Sequence, residues 1–423
     1  MNKAFKYRLY PTKKQAQTLF WTLTRCRELY NAALSERKDA YQSHQRITVS
    51  QNQETGQVVA AMMLAPQKVK SVTYLQQKRD LPDIKARRSE YQNIHSQVLQ
   101  DVLLRLERAF KNFFRRMNNG ETPGFPRFQG RNRYNSFTYP QGGYSLTHDS
   151  RVCLSKIGSI KIKLHREIQG KIKTATVKYE AGQWYIIFSC EIEQPAPLPE
   201  IDSEVGIDLG ITHFAALSDG TFIESPRYYR KAQADLKRKQ RHLSRCKKHS
   251  HRRERARKAV AKAHRKIANQ RRDFQHKQAK KLVQKHQTIV FEELQIANIS
   301  KRAKPKQDEN GTYLPNGAAA KSGLNKSIMD AGWGQFQQIV TRKAEYAGRI
   351  VLKVNPRYTS QACSHCGTVK KKSLEERRHS CECGCELDRD TNAAINILRL
   401  GRSQQTAQTC VGESRLSVEA PRL

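Results

Sequence analysis

Residues 204–210, EVGIDLG, form a short apolar run of strand character that ends on an acid and then a turn. A carboxylate in such a strand is costly to bury unless something cationic meets it, so Asp208 is a candidate for holding a cation. Before it, EQPAPLPE (193–200) reads as a proline-rich linker; after it, FAALSDG (214–220) is a second strand entering a turn. Farther on, TIVFEEL (288–294) is a buried-type strand ending on Glu292 and Glu293, and RIVLKV (349–354) is another strand. Helical patterns lie between them. Residues 228–286 are very basic, with Val260, Ile267 and Phe274 seven apart, as in a thin helix-helix seam. Trp333, Phe336, Val340, Ala344 and Ala347 share one face of a helix stopped by Gly348. Strands alternating with helices predict an α/β core for this half of the chain. KPKQDENGTYLPNGAAAKSG (304–323) reads as a mobile loop, and 403–423, without any period, as a tail.

The N-terminal half is patterned differently. KAFKYRL (3–9) alternates like a strand, and Thr12 with Gln15 makes a capping box that opens a helix carrying Ala16, Leu19, Leu23, Cys26 and Tyr30. A second helix is predicted from about Ile94 to Met117, with Val98, Val102, Leu106, Phe110 and Phe113 on one face and arginines elsewhere. Residues 47–70 are mixed and fit neither period. After a Gly- and Pro-rich loop, SIKIKLH, KIKTATVKY and QWYIIFSCEIE switch to period two, an antiparallel β-module. The loop interleaves Phe125, Phe128, Tyr134, Phe137 and Tyr139 with Arg127, Arg131 and Arg133, a mixture suited to nucleic acid.

Composition points the same way. The 423 residues include 78 Lys and Arg against 38 Asp and Glu, a formal charge of +40. That is the balance of a polyanion binder, and the basic 228–286 region repels itself unless phosphates neutralise it. The length predicts two to four domains. No apolar run is long enough to span a bilayer, and the start lacks the pattern of a secretory signal, so a soluble, cytoplasmic protein is expected.

Two features carry chemistry. CSHC (363–366) and CECGC (381–385) have zinc-ribbon spacing: Cys363 and Cys366 are clear ligands, and Cys381 and Cys383 are favoured for the second pair, with Cys385 as the alternative. Such a site stabilises a subdomain too small to bury its own core. The second feature is acidic. Asp388 and Asp390 open the helix TNAAINILRL, where acids suit the helix dipole and Asp388 could simply cap. A strand Asp, a strand-end Glu and a helix-start Asp, in that order, are the set with which an RNase H-like fold holds two Mg²⁺ ions.

On YRLYPTKKQ, HSQVLQDVLLRLERAFKNFFRR, PGFPRF, GIDLGI, FEEL, NPRYTSQACSHCG and CECG running into DRDTNAAINIL, the chain resembles the TnpB or OrfB family. These are transposon-encoded RNA-guided DNA nucleases, akin to compact type V CRISPR effectors. The resemblance implies a multidomain α+β protein: a helical recognition lobe and a wedge-like β-barrel, then a RuvC domain of RNase H-like fold with an inserted, nucleic-acid-binding zinc ribbon. Its expected segments are a first wedge strand (1–11), the recognition domain (12–118), the wedge β-barrel (119–194) and a linker (195–200). They continue with RuvC (201–360) including a basic hairpin (228–286), the ribbon (361–386), a last RuvC segment (387–402) and the flexible tail (403–423). Carried over residue by residue, its catalytic triad falls on Asp208, Glu292 and Asp390, with two catalytic Mg²⁺ and one structural Zn²⁺. Its partners would be a guide RNA from the transposon end and double-stranded target DNA beside a short motif; the sequence leaves the oligomeric state open, with a monomer favoured. Glu293 where Asp is commoner, the extra Cys385 and a longer 50–70 stretch depart from the pattern. A regulator or transposition accessory that binds without cutting is the alternative, and a missing acid would have favoured it.

Overall fold

The computed structural model describes residues 1–42, 45–51, 58–64, 72–131, 133–147, 149–373 and 376–416, with backbone alone for 41–64 and 407–416 within those spans. The chain forms two compact units, Met1–Glu193 and Gln194–Leu423.

In the first unit β1 (Asn2–Tyr10) leads into α1 (Lys13–Gln42). The expected capping box is made in both directions: Gln15 N donates to Thr12 Oγ1 at 3.3 Å and Thr12 N to Gln15 Oε1 at 3.0 Å. Then follow a hairpin of β2 (Gln45–Gln51) and β3 (Val58–Leu64), short helices α2 (Tyr74–Arg79) and α3 (Leu81–Arg87), and α4 (Ser96–Asn118). The hairpin occupies part of the stretch that fitted neither period; 52–57 and 65–70 of that stretch lie outside the described residues. The remaining strands are β4 (Ser136–Tyr139), β5 (Tyr144–Thr147), β6 (Arg151–Leu154), β7 (Gly158–Lys163), β8 (Lys171–Glu180) and β9 (Gln183–Glu191).

With β1 they make one seven-stranded sheet in the order β4-β8-β9-β1-β7-β6-β5. Alternate residues of β1 (Phe5, Tyr7, Leu9) are buried in one core with Leu19, Leu23 and Cys26 of α1 and Val98, Val102 and Leu106 of α4, as period-two and period-3.6 patterns require. Arg105 of α4 bonds Asp101 at 2.8 Å, Ser136 O at 2.7 Å and Thr138 Oγ1 at 2.7 Å, tying helix to edge strand. The expected barrel is corrected to an open sheet: among the described residues no ladder joins β4 to β5. Their connection bonds elsewhere. Gly142 N donates to Gln97 Oε1 at 3.1 Å, Gly143 O accepts from Ser155 N, and His95 stands where a Cβ on Gly143 would lie, so the start of α4 packs on that connection.

The second unit holds β10 (Glu204–Asp208), β11 (His213–Leu217), β12 (Phe222–Glu224), α5 (Tyr228–Arg245), α6 (His251–Lys285) and β13 (Thr288–Glu292). It continues with α7 (Ile296–Ile299), β14 (Lys306–Gln307), β15 (Tyr313–Leu314), α8 (Ala318–Ala331), α9 (Trp333–Ala347) and β16 (Ile350–Val354). β17 (Arg378–Ser380), β18 (Glu386–Asp388) and α10 (Arg389–Leu416) complete it. The five-stranded sheet has the order β12-β11-β10-β13-β16: β10, β13 and β16 are parallel, β11 and β12 antiparallel. One face is covered by α6 and α9, with Val205, Ile207, Phe291, Leu282 and Phe336 in a shared core. The other face receives α10.

Three expectations change here. The stretch 304–323 is not a bare loop: Asp308 Oδ1 accepts from Thr312 N at 2.7 Å and turns the chain into the β14–β15 hairpin, before α8 begins. The linker is docked rather than free, with Arg349 donating to Pro199 O at 2.8 Å and Pro197 against Gly348. Helix α10 runs through residues 403–416, where no proline interrupts it and propagation adds a bond per residue; 417–423 lie outside the described residues.

Candidate active site and metal centre

The three predicted acids come from three elements, and backbone packing brings those elements together. Ile207 of β10 pairs with Phe291 of β13 in parallel register, so Asp208 and Glu292 follow side by side at the same ends of adjacent strands. Helix α10 delivers Asp390 from above. It lies unusually close to β10 because Gly206 has no side chain: a Cβ there would sit 2.1 Å from Ala394 O and 2.7 Å from Leu398 N. A second close approach, between Gly401 of α10 and Val290 of β13, would put a Cβ 2.6 Å from Val290 Cγ2. The two glycines let one helix press across both acid-bearing strands. Asp390 Oδ2 then lies 3.8 Å from where a Cβ on Gly210 would project, directly over the turn after Asp208.

Electrostatics reflect the convergence. Burial pushes the Asp208 carboxyl well above the usual range, and the charges of Glu292 and Asp390 push it further, against Arg389. Burial raises Glu292, opposed by a hydrogen bond from Thr359 Oγ1 to Glu292 Oε1. Asp390 is raised by burial and by Asp388, with Arg377 and Arg389 opposing. None of the three is in an ion pair with a described residue. Carboxylate oxygens lacking cationic partners fit a hard divalent ion. Asp388 does a different job: its Oδ1 accepts from Asp390 N at 2.9 Å and Thr391 N at 3.3 Å, capping α10.

The cysteines gather beside this helix. Cys363, Cys366, Cys381 and Cys383 bring their sulfurs within 4.8 Å of one another. The Cys363–Cys383 and Cys366–Cys381 separations are 3.7 and 3.5 Å. A tetrahedral ion with bonds of about 2.3 Å sets its ligand sulfurs roughly 3.8 Å apart, so the set fits zinc. The Thr368 hydroxyl and N–H beside Cys366 hold its thiol down to about 6, favouring the thiolate that a metal needs. Cys385 stands outside that set, in a smaller group with Cys363 and His379.

Residues outside the predicted set complete the site. Asn392 Nδ2 donates to Ala362 O at 2.8 Å while its Oδ1 accepts from Ser364 N at 2.9 Å. Asn396 Nδ2 donates to Thr359 O at 2.9 Å and Ala362 O at 2.8 Å. Both are almost fully buried, and they bolt the first cysteine knuckle to α10. Two asparagines four apart in an otherwise apolar helix face were the available signal. Thr359 carried none, because its partner lies 67 positions away.

A family model described as "Probable transposase" matches residues 187–303, one described as "Cas12f1-like, TNB domain" matches 333–397, and one described as "Helix-turn-helix domain" matches 1–46. A protein of Escherichia coli (strain K12) named "Putative RNA-guided DNA endonuclease InsQ" is 34% identical over 95% of this chain and 92% of its own length. The chain belongs to the OrfB/TnpB family. Another relative, from Streptomyces pristinaespiralis and named "Putative RNA-guided DNA endonuclease", is 31% identical over 95% of this OrfB/TnpB chain and 90% of itself. A solved structure titled "Structure of the mini-RNA-guided endonuclease CRISPR-Cas_phi3" aligns with 10% identity and a TM-score of 0.48, covering 95% and 92% of the two chains. In this family member the stretch matched as helix-turn-helix is β1 followed by one continuous helix, α1. Among its described residues no helix is long and apolar enough to cross a membrane.

Proposed function

We propose that the protein is an RNA-guided DNA endonuclease whose RuvC-type site is formed by Asp208, Glu292 and Asp390. The observation that carries the reading is the meeting of three half-buried carboxylates, two at the ends of adjacent parallel strands and one on the first turn of α10, in an otherwise strongly basic chain. The strand order, with an antiparallel β11–β12 pair on one side of β10 and parallel β13 and β16 on the other, supports the RNase H-like assignment. The names of the two curated relatives support guided cleavage of DNA. Two Mg²⁺ ions, held by Asp208, Glu292 and Asp390, would supply an activated water and stabilise the leaving oxygen.

The protein's own residues arrange that centre. Thr359 fixes the Glu292 carboxyl by donating to Oε1, and Gln337 fixes its backbone by donating to Glu292 O at 3.0 Å. Asp388 caps α10 and leaves the Asp390 carboxylate over the turn at Gly210 that follows Asp208. Helices α5 and α6 pack on each other, with Leu236, Ala256 and Ile267 buried and most of their lysines and arginines outward, a surface for backbone phosphates. The four-cysteine ribbon is a closed, structural zinc site whose matched region suits contact with target nucleic acid.

The test has two arms. Protein purified from its host should carry a defined transcript from the flanking locus; random RNA fragments would refute guidance. Asp208→Asn should abolish cutting of a guide-matched duplex while RNA and target binding persist. Retained cleavage would refute the site.

A further inference from the structure

The end of α4 and the loop after it carry a surface that the core leaves unused. Phe110 and Phe113 of α4 meet Phe125 of the loop ring against ring, and Phe114 packs on Phe110 and Phe113. Centroid separations are 5.6 Å for Phe110–Phe125, 5.3 Å for Phe113–Phe125 and 5.2 Å for Phe113–Phe114, all edge to face. Interlocked contacts of this kind hold rings in place. Yet Phe114 and Phe125 remain 49% and 46% exposed, and Met117 and Phe128 are 50% and 48% exposed. Single exposed apolar residues mean little, but a contiguous exposed patch marks a binding surface.

Its charges indicate the occupant. Lys111, Arg115 and Arg116 on α4, and Arg127 and Arg131 in the loop, are exposed around the rings. The Arg37 guanidinium, buried and committed to Glu107, braces the Phe110 ring from 5.2 Å, while Lys38 Nζ lies 5.2 Å from the centre of the Phe128 ring. The nearby acids are already engaged, Glu107 by Arg37 at 2.9 Å and Glu121 by Arg116 at 3.9 Å. Cations around fixed aromatic faces suit a strand whose phosphates take the charges and whose bases take the rings. In a duplex the base faces already stack on each other. Free faces belong to single-stranded segments, which folded RNA presents in loops, bulges and ends.

We propose that Phe114 and Phe125 form a stacking platform for an unpaired segment of RNA. The proposal rests on reading the protein as an RNA carrier, and its test separates the two.

The probe is a short oligoadenylate RNA, with the same sequence as single-stranded DNA for comparison, and affinity is measured across a salt series. Phe114→Leu and Phe125→Leu keep apolar volume but remove the π face. Each should weaken RNA binding about tenfold, with the slope of log Kd against log salt unchanged because no phosphate contact is lost. Phe114→Trp should restore the affinity, and Arg115→Gln should instead lower the slope by about one. Wild-type affinity in both leucine variants overturns the proposal. So does an equal loss for DNA, which would assign the surface to a DNA strand. A wild-type dimer that Phe114→Leu dissociates while RNA affinity holds also overturns it, making the patch a contact between copies. Guided cleavage is scored separately. If wild type cuts while the leucine variants bind RNA normally, the platform falls and the nuclease stands; if binding depends on the rings but wild type never cuts, the reverse holds.

Discussion

Gly206→Ala tests whether backbone proximity between α10 and β10 sets the geometry of the acids. The new Cβ would stand 2.1 Å from Ala394 O, where real Cβ contacts essentially never fall below 3.0 Å, so the helix must retreat by at least 3.0 − 2.1 = 0.9 Å. The obstacle is backbone, so no rotamer change relieves it. Asp390 rides on the first turn of that helix and moves with it, while Asp208, two residues from the substitution, stays with the strand. A displacement near 1 Å at a reacting centre costs on the order of 100-fold in rate. Overpacking should also cost about 1–3 kcal/mol, lowering Tm by roughly 2–4 °C for each kcal/mol in a unit of this size. The assay is single-turnover cleavage of a guide-matched duplex at saturating Mg²⁺, with RNA binding and a thermal melt in parallel. Cleavage at the wild-type rate with an unshifted melt would refute the account, since α10 would then have room that the geometry denies it. Loss of RNA binding in step with cleavage would mean that the unit had unfolded rather than shifted.

Further tests probe the metals and the acids. Cys363→Ala should release bound zinc and expose residues 361–386 to protease, whereas Cys385→Ala should leave zinc content unchanged; elemental analysis reads both. Thr359→Val removes the hydroxyl from Glu292 while keeping the shape, and should slow cleavage about tenfold with target affinity intact, as gel shifts at equal guide loading would show. The raised carboxyls make a pH prediction. Their native-state values lie above the unfolded ones, so their stabilising effect is complete at pH below the unfolded values and is lost as pH rises through the native values. Metal-free protein should therefore lose more stability than Asp208→Asn does as pH rises above the ordinary carboxylate range, and added Mg²⁺ should remove the difference. Identical denaturation profiles of the two proteins would contradict the burial of Asp208.

Much of the second unit was legible because its elements are short, apolar and bounded by strong punctuation. EVGIDLG, TIVFEEL and RIVLKV each became a strand, and Gly348, at φ +69°, ends α9 where the pattern stops. The cysteine knuckles were legible for a different reason, since metal spacing is a local property of the chain. What the sequence could not display is closeness. Gly206 looks like a weak link in a strand until Ala394, 188 positions onward, is seen resting on it. The barrel expectation failed on a similar ground: period-two runs specify strands, but closure depends on whether the two edge strands pair, and β4 and β5 do not, their connection bonding instead to Gln97 and packing on His95. The hairpin of β14 and β15 hid behind loop-like composition because a single Asp308 side chain organises it.

Helix α10 carries Asp390, the third acid of the proposed site, in its first turn, grips a cysteine knuckle through Asn392 and Asn396, and leans on two strands through glycine gaps. On the proposed nuclease reading, loss of zinc or oxidation of the thiols is expected to slow DNA scission with every carboxylate intact, because a ribbon that slackens pulls on the same rod that carries Asp390.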